Sequence, residues 1–182
     1  GYMYIDCLWV SGQFKGHGYS NLLLDECIRD SRARGKKGLV ILSSPKKLGF
    51  LADPKYLRHK GFEAVDSAPP YFELLALPFD AEAEQPSFRP QVKETRHPEM
   101  PAGFTLYYTS QCPFTAKYVP LLEQAAKARN APLQATHIET AEQAQRAPSP
   151  FTTFALYCNG AFLTHEIQSE KKFEKLMDEL GI

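Results

Sequence analysis

Residues 2–43 alternate between strand-like and helix-like patterns, and this order constrains the fold more than any other feature of the chain. An apolar run predicts a first strand over residues 2–10, and a second run predicts another over residues 38–43. Between them, residues 19–34 have the spacing of an amphipathic helix whose apolar side comprises Leu22, Leu23, Cys27 and Ile28. A strand–helix–strand passage predicts two parallel strands joined by a right-handed crossover.

A glycine-containing turn joins the first predicted strand to the helix. Gly16 and Gly18 lie in this turn, and without a Cβ they let the backbone approach a bulky ligand closely. The first amides of a helix have no partner within it and carry partial positive charge. The turn therefore predicts an anion-binding site, although an ordinary strand–turn–helix joint would have the same pattern.

The turn also has a recognisable spacing, because residues 13–18 read Q-x-x-G-x-G directly after the predicted strand. This segment resembles the acetyl-coenzyme A pyrophosphate loop of the GNAT acetyltransferase superfamily. The resemblance continues through the apolar strand at residues 39–42, the Y-x-x-x-G-F-like element at residues 56–62 and a closing strand pair that reaches Leu75. It covers the predicted elements of the first half in the same order.

The resemblance implies an N-acetyltransferase that uses acetyl-coenzyme A as co-substrate and no metal. The acetyl group would pass by direct attack, in a ternary complex, to an amine on a small molecule or peptide. The implied cofactor-binding residues are Leu8, Val10, Gln13, Phe14, Lys15, Gly16, His17, Gly18, Tyr19 and Ser20. His17 has a second interpretation, as an exposed residue at a variable position of the loop.

Tyr56 is the catalytic residue that the resemblance implies, as the general acid. It precedes Gly61 by five residues, whereas the common family pattern has four. One residue turns a helix by about 100°. Tyr56 therefore has an alternative interpretation as a packing aromatic.

The second half of the chain predicts a separate domain. Four prolines in residues 80–102 favour an extended linker, so we expect domains at residues 1–79 and 103–182. The later segments predict the order βαβ followed by αββα, with a hairpin turn at residues 159–160. This order resembles a thioredoxin-like domain, in which Pro148 or Pro150 would be the cis-proline that faces Cys112.

The predicted fold class is therefore α/β (α+β): the C-terminal part of a GNAT acyl-CoA N-acyltransferase fold, followed by a thioredoxin-like domain. This combination resembles YoaP-type proteins and implies that the early strands and helices of the GNAT fold are absent. Cys112, at a predicted helix start, supports an alternative function as a thiol-dependent redox or glutathione-type protein. A further alternative is a non-catalytic binding module derived from a truncated acetyltransferase.

Charge and composition limit the classes of partner that the sequence supports. The 182 residues carry a formal net charge of zero, which gives no support for binding nucleic acid or a membrane surface. No apolar run approaches the roughly 20 residues that span a bilayer. The four cysteines form no C-x-x-C pair, which favours a reducing cytoplasm, and the scattered histidines predict no metal site. The acceptor and the oligomeric state are not set by the sequence.

Overall fold

A computed structural model describes the whole chain, Gly1–Ile182, which divides into two compact units, Gly1–Phe88 and Arg89–Ile182. Both units combine helices with a four-stranded sheet of mixed parallel and antiparallel strands. No helix is long and apolar enough to cross a membrane. No group of three or more His, Cys, Asp or Glu side chains is placed to hold a metal ion.

The first unit is built on a sheet with the strand order β1-β2-β4-β3. Strands β1 and β2 are parallel, which confirms the predicted strand–helix–strand passage, and β4 runs antiparallel to both of its neighbours. A short 3-10 helix, Gly12–Phe14, precedes the first α-helix. The elements in chain order are β1 (Met3–Ile5), α1 (Tyr19–Ala33), β2 (Gly38–Ser43), α2 (Pro54–His59), β3 (Glu63–Ala68) and β4 (Phe72–Pro78).

The prediction of a first strand over residues 2–10 is wrong in its second half, because β1 ends at Ile5. Strand β1 lies at the edge of the sheet and pairs with β2 through only three residues. The following apolar residues leave the sheet: Leu8 packs against the core, whereas Trp9 is 69% exposed. Their apolar character therefore reflects contacts outside the strand ladder.

Helix α1 also buries a different face from the predicted one. Leu24 is 2% exposed, and Cys27 and Ile28 pack against the same core, whereas Leu22 and Leu23 are 62% and 50% exposed. Positions i, i+3 and i+4 share one side of a helix, and this rule joins residues 24, 27 and 28. The prediction is thus correct for Cys27 and Ile28 and wrong for the two leucines. The buried residues of this core are Leu24, Leu39, Ile41, Leu57, Phe62 and Leu75.

The second unit has the strand order β6-β5-β7-β8. Strands β5 and β6 are parallel, whereas β7 is antiparallel to β5 and to β8. The rings of Phe104 and Phe173 pack edge to face, 5.0 Å apart, in its interior. The elements are β5 (Phe104–Tyr108), α3 (Pro113–Ala128), β6 (Leu133–His137), α4 (Ala141–Arg146), β7 (Phe154–Cys158), β8 (Ala161–Thr164) and α5 (Glu170–Leu180).

The hairpin between β7 and β8 turns at the expected residues. Asn159 and Gly160 have positive φ angles of 47° and 72°, as a two-residue type I′ turn requires. A Cβ at position 160 would collide with the carbonyl oxygen of His97, so only glycine fits there. The expected cis-proline is wrong, because the cis peptide bond of this chain is Pro69–Pro70 and those before Pro148 and Pro150 are trans.

The segment expected to be a linker, residues 80–102, is divided between the two units. The first part of the segment belongs to the first unit, where the amide of Phe88 donates to the Asp66 carboxylate at 2.8 Å. In its second part, Pro90–Lys93 forms a 3-10 helix, and the amide of His97 donates to the Gly160 carbonyl at 2.7 Å. Residues 89–102 therefore belong to the second unit.

Candidate functional site

A cleft of about 430 Å³ opens in the first unit, beside the N-terminus of α1. Its volume lies within the range of small-molecule sites. Four parts of the chain line it: the segment before α1, the first turn of α1, the segment before α2, and α2 itself. The lining residues are Leu8, Trp9, Val10, Phe14, Lys15, Gly16, Gly18, Tyr19, Ser20, Lys47, Leu48, Gly49, Phe50, Leu51, Ala52, Asp53, Tyr56 and Leu57.

The glycine turn forms one wall of this cleft. Gly16 and Gly18 have φ angles of 83° and 78°, in the left-handed region that favours glycine. A Cβ placed on either residue would meet no atom within 4 Å, so the backbone there faces open space. Gly18 is the N-cap of α1, and no side chain satisfies the amides at this helix end. A ligand can therefore approach the backbone directly.

The turn offers fewer free amides than its sequence predicts. The amide of Phe14 donates to the Ser11 carbonyl at 2.9 Å, and that of Lys15 donates to the Gly12 carbonyl at 3.2 Å, within the 3-10 helix. The expectation that amides from Gln13 onward bind a ligand is therefore wrong at Phe14 and Lys15.

The next three amides, those of Gly16, His17 and Gly18, donate no hydrogen bond within the chain. The amides that begin α1, at Tyr19 and Ser20, also have no helical carbonyl one turn earlier. These five consecutive amides lie at the positive end of the α1 dipole, an arrangement that favours an anion.

Most of the residues singled out in the sequence lie around this cleft. Leu8, Val10, Phe14, Lys15, Gly16, Gly18, Tyr19, Ser20 and Tyr56 all line it. Gln13 and His17 are exposed and do not contribute to its lining. The centroid of the His17 ring lies 5.9 Å from that of the Tyr19 ring.

Tyr56 lies beside the start of α1 in spite of its spacing from Gly61. Its hydroxyl donates to the side-chain oxygen Oδ1 of Asn21, 3.2 Å away. The Lys60 ammonium lies 5.8 Å from the centre of the Tyr56 ring. The phenol thus lies at the cleft with its hydroxyl hydrogen-bonded to a side chain in the first turn of α1. The sequence did not single out Asn21 as a site residue. Its only sequence signal is its position three residues after Gly18.

The segment before α2 forms the opposite wall, and the sequence did not indicate it. Lys47 and Asp53 form an ion pair at 3.0 Å, and Asp53 caps α2 by accepting from the amide of Lys55 at 2.9 Å. The hydrogen bond from Lys47, more than any other interaction, lowers the pKa of Asp53. The hydroxyl of Ser43 donates to the Ala52 carbonyl at 2.8 Å and ties the segment to β2. Because this segment has no periodic sequence pattern, the sequence does not predict that it lines the cleft.

In the second unit, Cys112 is the N-cap of α3 and is partly buried. The hydroxyl of Thr115 donates to the carbonyls of Thr109 and Cys112, at 2.7 Å and 2.6 Å. Thr115 is fully buried, so its hydroxyl serves the helix start and is not available to a ligand.

Comparison with known proteins identifies the family to which the chain belongs. Residues 132–175 match a family model described as YoaP-like. The chain is 41% identical over 180 residues to the Bacillus subtilis (strain 168) protein named "Uncharacterized N-acetyltransferase YoaP". The match covers 99% of this chain and 71% of that protein. No solved structure matches the chain. At this identity and coverage, the chain belongs to the YoaP family.

Proposed function

We propose that this chain is an N-acetyltransferase that transfers the acetyl group of acetyl-coenzyme A to an amine on a small molecule or peptide. The observation that carries the proposal is the row of five free amides at residues 16–20, of which all but His17 belong to residues that line the cleft. The Bacillus subtilis relative is named an N-acetyltransferase, and this name supports the same reaction class.

The pyrophosphate of the co-substrate would bind at the glycine turn. The amides of Gly16, His17 and Gly18 would donate to its oxygens, and the α1 dipole would favour its negative charge. Lys15 lines the same wall and would add a charged donor. His17 would contribute its backbone here, because its side chain lies outside the cleft.

The thioester would lie toward Leu8 and Val10, on the apolar part of the cleft lining. Strand β1 ends before these residues, and the amide of Val10 donates no hydrogen bond within the chain. This amide would donate to the carbonyl oxygen as it gains negative charge during attack. The amides of the glycine turn would then bind the phosphates, and the amide of Val10 would polarise the acetyl group.

Tyr56 would act as the general acid. The acceptor amine attacks the acetyl carbon as a neutral base in the ternary complex, and the carbon–sulfur bond breaks. The Tyr56 hydroxyl would then give its proton to the leaving thiolate, and the proton lost by the acetylated nitrogen would pass through solvent to restore the Tyr56 hydroxyl. In the free protein this proton is directed at Asn21, which would orient the hydroxyl until the co-substrate is bound.

The proposal extends to the fold and the cellular location. The strand–turn–helix–strand order of the first unit supports a GNAT fold, and the βαβ and αββα order of the second supports a thioredoxin-like fold. None of the four cysteines forms a disulfide, and this supports a location in the cytoplasm.

The test is a direct assay of acetyl transfer. Purified protein is incubated with acetyl-coenzyme A and a panel of polyamines, amino acids and short peptides, and the products are identified by mass spectrometry. We expect an acetylated amine together with an equal amount of free coenzyme A. The Tyr56→Phe variant should form the same product more slowly. Failure of every amine class, with no coenzyme A binding by calorimetry, would refute the proposal.

A further inference from the structure

A serine, a histidine and a glutamate form a connected row in the second unit, apart from every residue that lines the cleft. The Ser110 hydroxyl oxygen lies 2.8 Å from Nε2 of His137. On the other side of the ring, Nδ1 of His137 lies 3.4 Å from Oε1 of Glu139. A hydroxyl thus lies at hydrogen-bond distance from one ring nitrogen, and a carboxylate lies near the other without a hydrogen bond to it.

The parallel pairing of β5 and β6 brings these residues together. Tyr108 and His137 are register partners at the ends of the two strands, and their rings stack with centroids 4.8 Å apart. Ser110 follows the end of β5 by two residues, and Glu139 follows the end of β6 by two. Since parallel strands end at the same edge of a sheet, the three side chains meet there.

Hydrogen bonds hold the chain that follows His137. The amide of Ile138, next in the chain, donates to the Tyr108 carbonyl at 2.8 Å. The amide of Glu139 donates to the side chain of Gln143 at 2.7 Å. The His137 ring itself stacks on Tyr108 and lies at hydrogen-bond distance from Ser110.

This arrangement has the parts of an activated serine nucleophile: a hydroxyl, a base within hydrogen-bond reach, and a group that orients the base. The carboxylate of Glu139 favours the tautomer with hydrogen on Nδ1, which leaves Nε2 free to accept the Ser110 proton. Helix α3 starts at Pro113, which has no N–H, and the amide of Thr115 donates to the Cys112 carbonyl at 3.1 Å, so the amide of Phe114 remains available at this helix start. An amide of this kind can stabilise a developing oxyanion.

We propose that Ser110 and His137 form a second reactive site, which cleaves esters of small carboxylic acids, with Glu139 as a positioning residue. Ser110 Oγ forms a bond to the ester carbonyl carbon while its proton moves to Nε2 of His137. The bond from that carbon to the alcohol oxygen breaks, and the leaving alkoxide takes the proton from His137. Water then attacks the acyl-serine, its proton passes through His137 to Ser110, and the carboxylic acid is released.

The exposure of the site suits substrates that reach an open surface. Ser110 is exposed, and the side chains of His137 and Glu139 are 36% and 69% exposed. A small acyl group, free or carried on a larger molecule, can therefore contact Ser110 without a change in the fold.

The first experiment locates the nucleophile. The full chain is treated with a fluorophosphonate probe and, separately, with p-nitrophenyl acetate, and the modified residue is identified by peptide mass spectrometry. We expect both reagents to modify Ser110. Modification of only His137, Cys112 or a lysine, with Ser110 unmodified, would overturn the proposal.

The second experiment measures p-nitrophenyl acetate hydrolysis by matched variants. Ser110→Ala and His137→Gln should each lower kcat/KM by about 100-fold, the lower end of general-base catalysis. Ser67→Ala, which changes an exposed serine on β3, is the matched control and should keep the full rate. An unchanged rate in Ser110→Ala, with its folding verified by circular dichroism, would contradict the proposal.

The role of Glu139 is tested by a pair of variants. Glu139→Gln should lower kcat several-fold and leave KM unchanged, because the carboxylate orients the base and does not contact substrate. Glu139→Asp should restore part of the lost kcat. Equal values of kcat in the wild type and in Glu139→Gln would show that Glu139 does not position His137.

Discussion

A matched pair of glycine substitutions separates ligand binding at the cleft from backbone strain. Gly16 and Gly35 both have a left-handed backbone, with φ angles of 83° and 66°, and a Cβ on either would meet no atom within 4 Å. They differ in location, because Gly16 lines the cleft whereas Gly35 follows the end of α1. Alanine at either position therefore adds the same strain to the chain, but only Gly16→Ala places a methyl group in the cleft.

The expected magnitudes follow from these positions. An L-residue in the left-handed region costs about 1–2 kcal/mol, and the lower entropy of the unfolded chain offsets part of that cost. Both variants should therefore lose about 1 kcal/mol and melt about 4–8 °C lower. At Gly16 the methyl group would also separate the proposed phosphate from the neighbouring amides. Losing one charge-assisted hydrogen bond, about 1.5–3 kcal/mol, should weaken coenzyme A binding by about 10- to 150-fold.

The assay is calorimetric titration of wild type and both variants with coenzyme A, accompanied by thermal melts. We expect similar melting temperatures for the two variants and weaker coenzyme A binding in Gly16→Ala alone. Equal affinity in Gly16→Ala and Gly35→Ala would refute this expectation, because the phosphates would then bind elsewhere.

Three further predictions concern α2 and its cap. Tyr56→Phe should lower kcat for acetyl transfer by about 100-fold while costing only about 0.5–1.5 kcal/mol of stability, measured by steady-state kinetics and urea unfolding; an unchanged kcat would exclude Tyr56 as the acid. Leu57→Ala should lose about 2–5 kcal/mol in urea unfolding, because Leu57 is fully buried in the core, and a loss below 1 kcal/mol would contradict that packing. Since the folded pKa of Asp53 is below its unfolded value of 3.8, its ionisation stabilises the protein above that pH, and this contribution is lost as the pH falls through the folded pKa. Unfolding of Asp53→Asn should thus depend less on pH in that acidic range, and an identical pH profile in the variant would contradict the Lys47–Asp53 interaction.

The sequence was a good guide to the elements with strong periodicity. Helix α1, strand β2 and the hairpin at Asn159 and Gly160 all lie close to their expected positions. In each case local chemistry decides the structure: an amphipathic repeat, an apolar run, or a dipeptide that accepts positive φ angles. The parallel pairing of β1 and β2 followed from the crossover rule alone.

The sequence was a poor guide where apolar residues lie outside the strand ladder or fit more than one helical face. Leu8 and Val10 suggested a longer strand, but the edge position of β1 leaves residues 6–11 outside the ladder. The face of α1 was misassigned because three leucines in a row, residues 22–24, fit more than one helical phase. Only packing against β2 selects Leu24 as the buried one.

The sequence predicted only part of the candidate site, because one of its walls has a sequence signature and the other has none. The glycine turn has a sequence signature, so its residues were found, but the 3-10 helix that uses the amides of Phe14 and Lys15 has none. The wall formed by residues 47–53 has no periodic pattern and depends on contacts of Ser43 and Asp53. Asn21 acquires its role only through a hydrogen bond to Tyr56, 35 residues away in the chain.

The most direct test of the account is an NMR titration of ¹⁵N-labelled protein with coenzyme A. We expect large shifts of the Gly16, His17 and Gly18 amide signals, which should move downfield as these amides donate to the phosphates, and no shift of the Gly35 amide. The 3′,5′-bisphosphate of adenosine, which lacks the pyrophosphate, should move the three signals much less. Saturating coenzyme A that leaves all three signals in place would contradict the assignment of this turn as the phosphate-binding site.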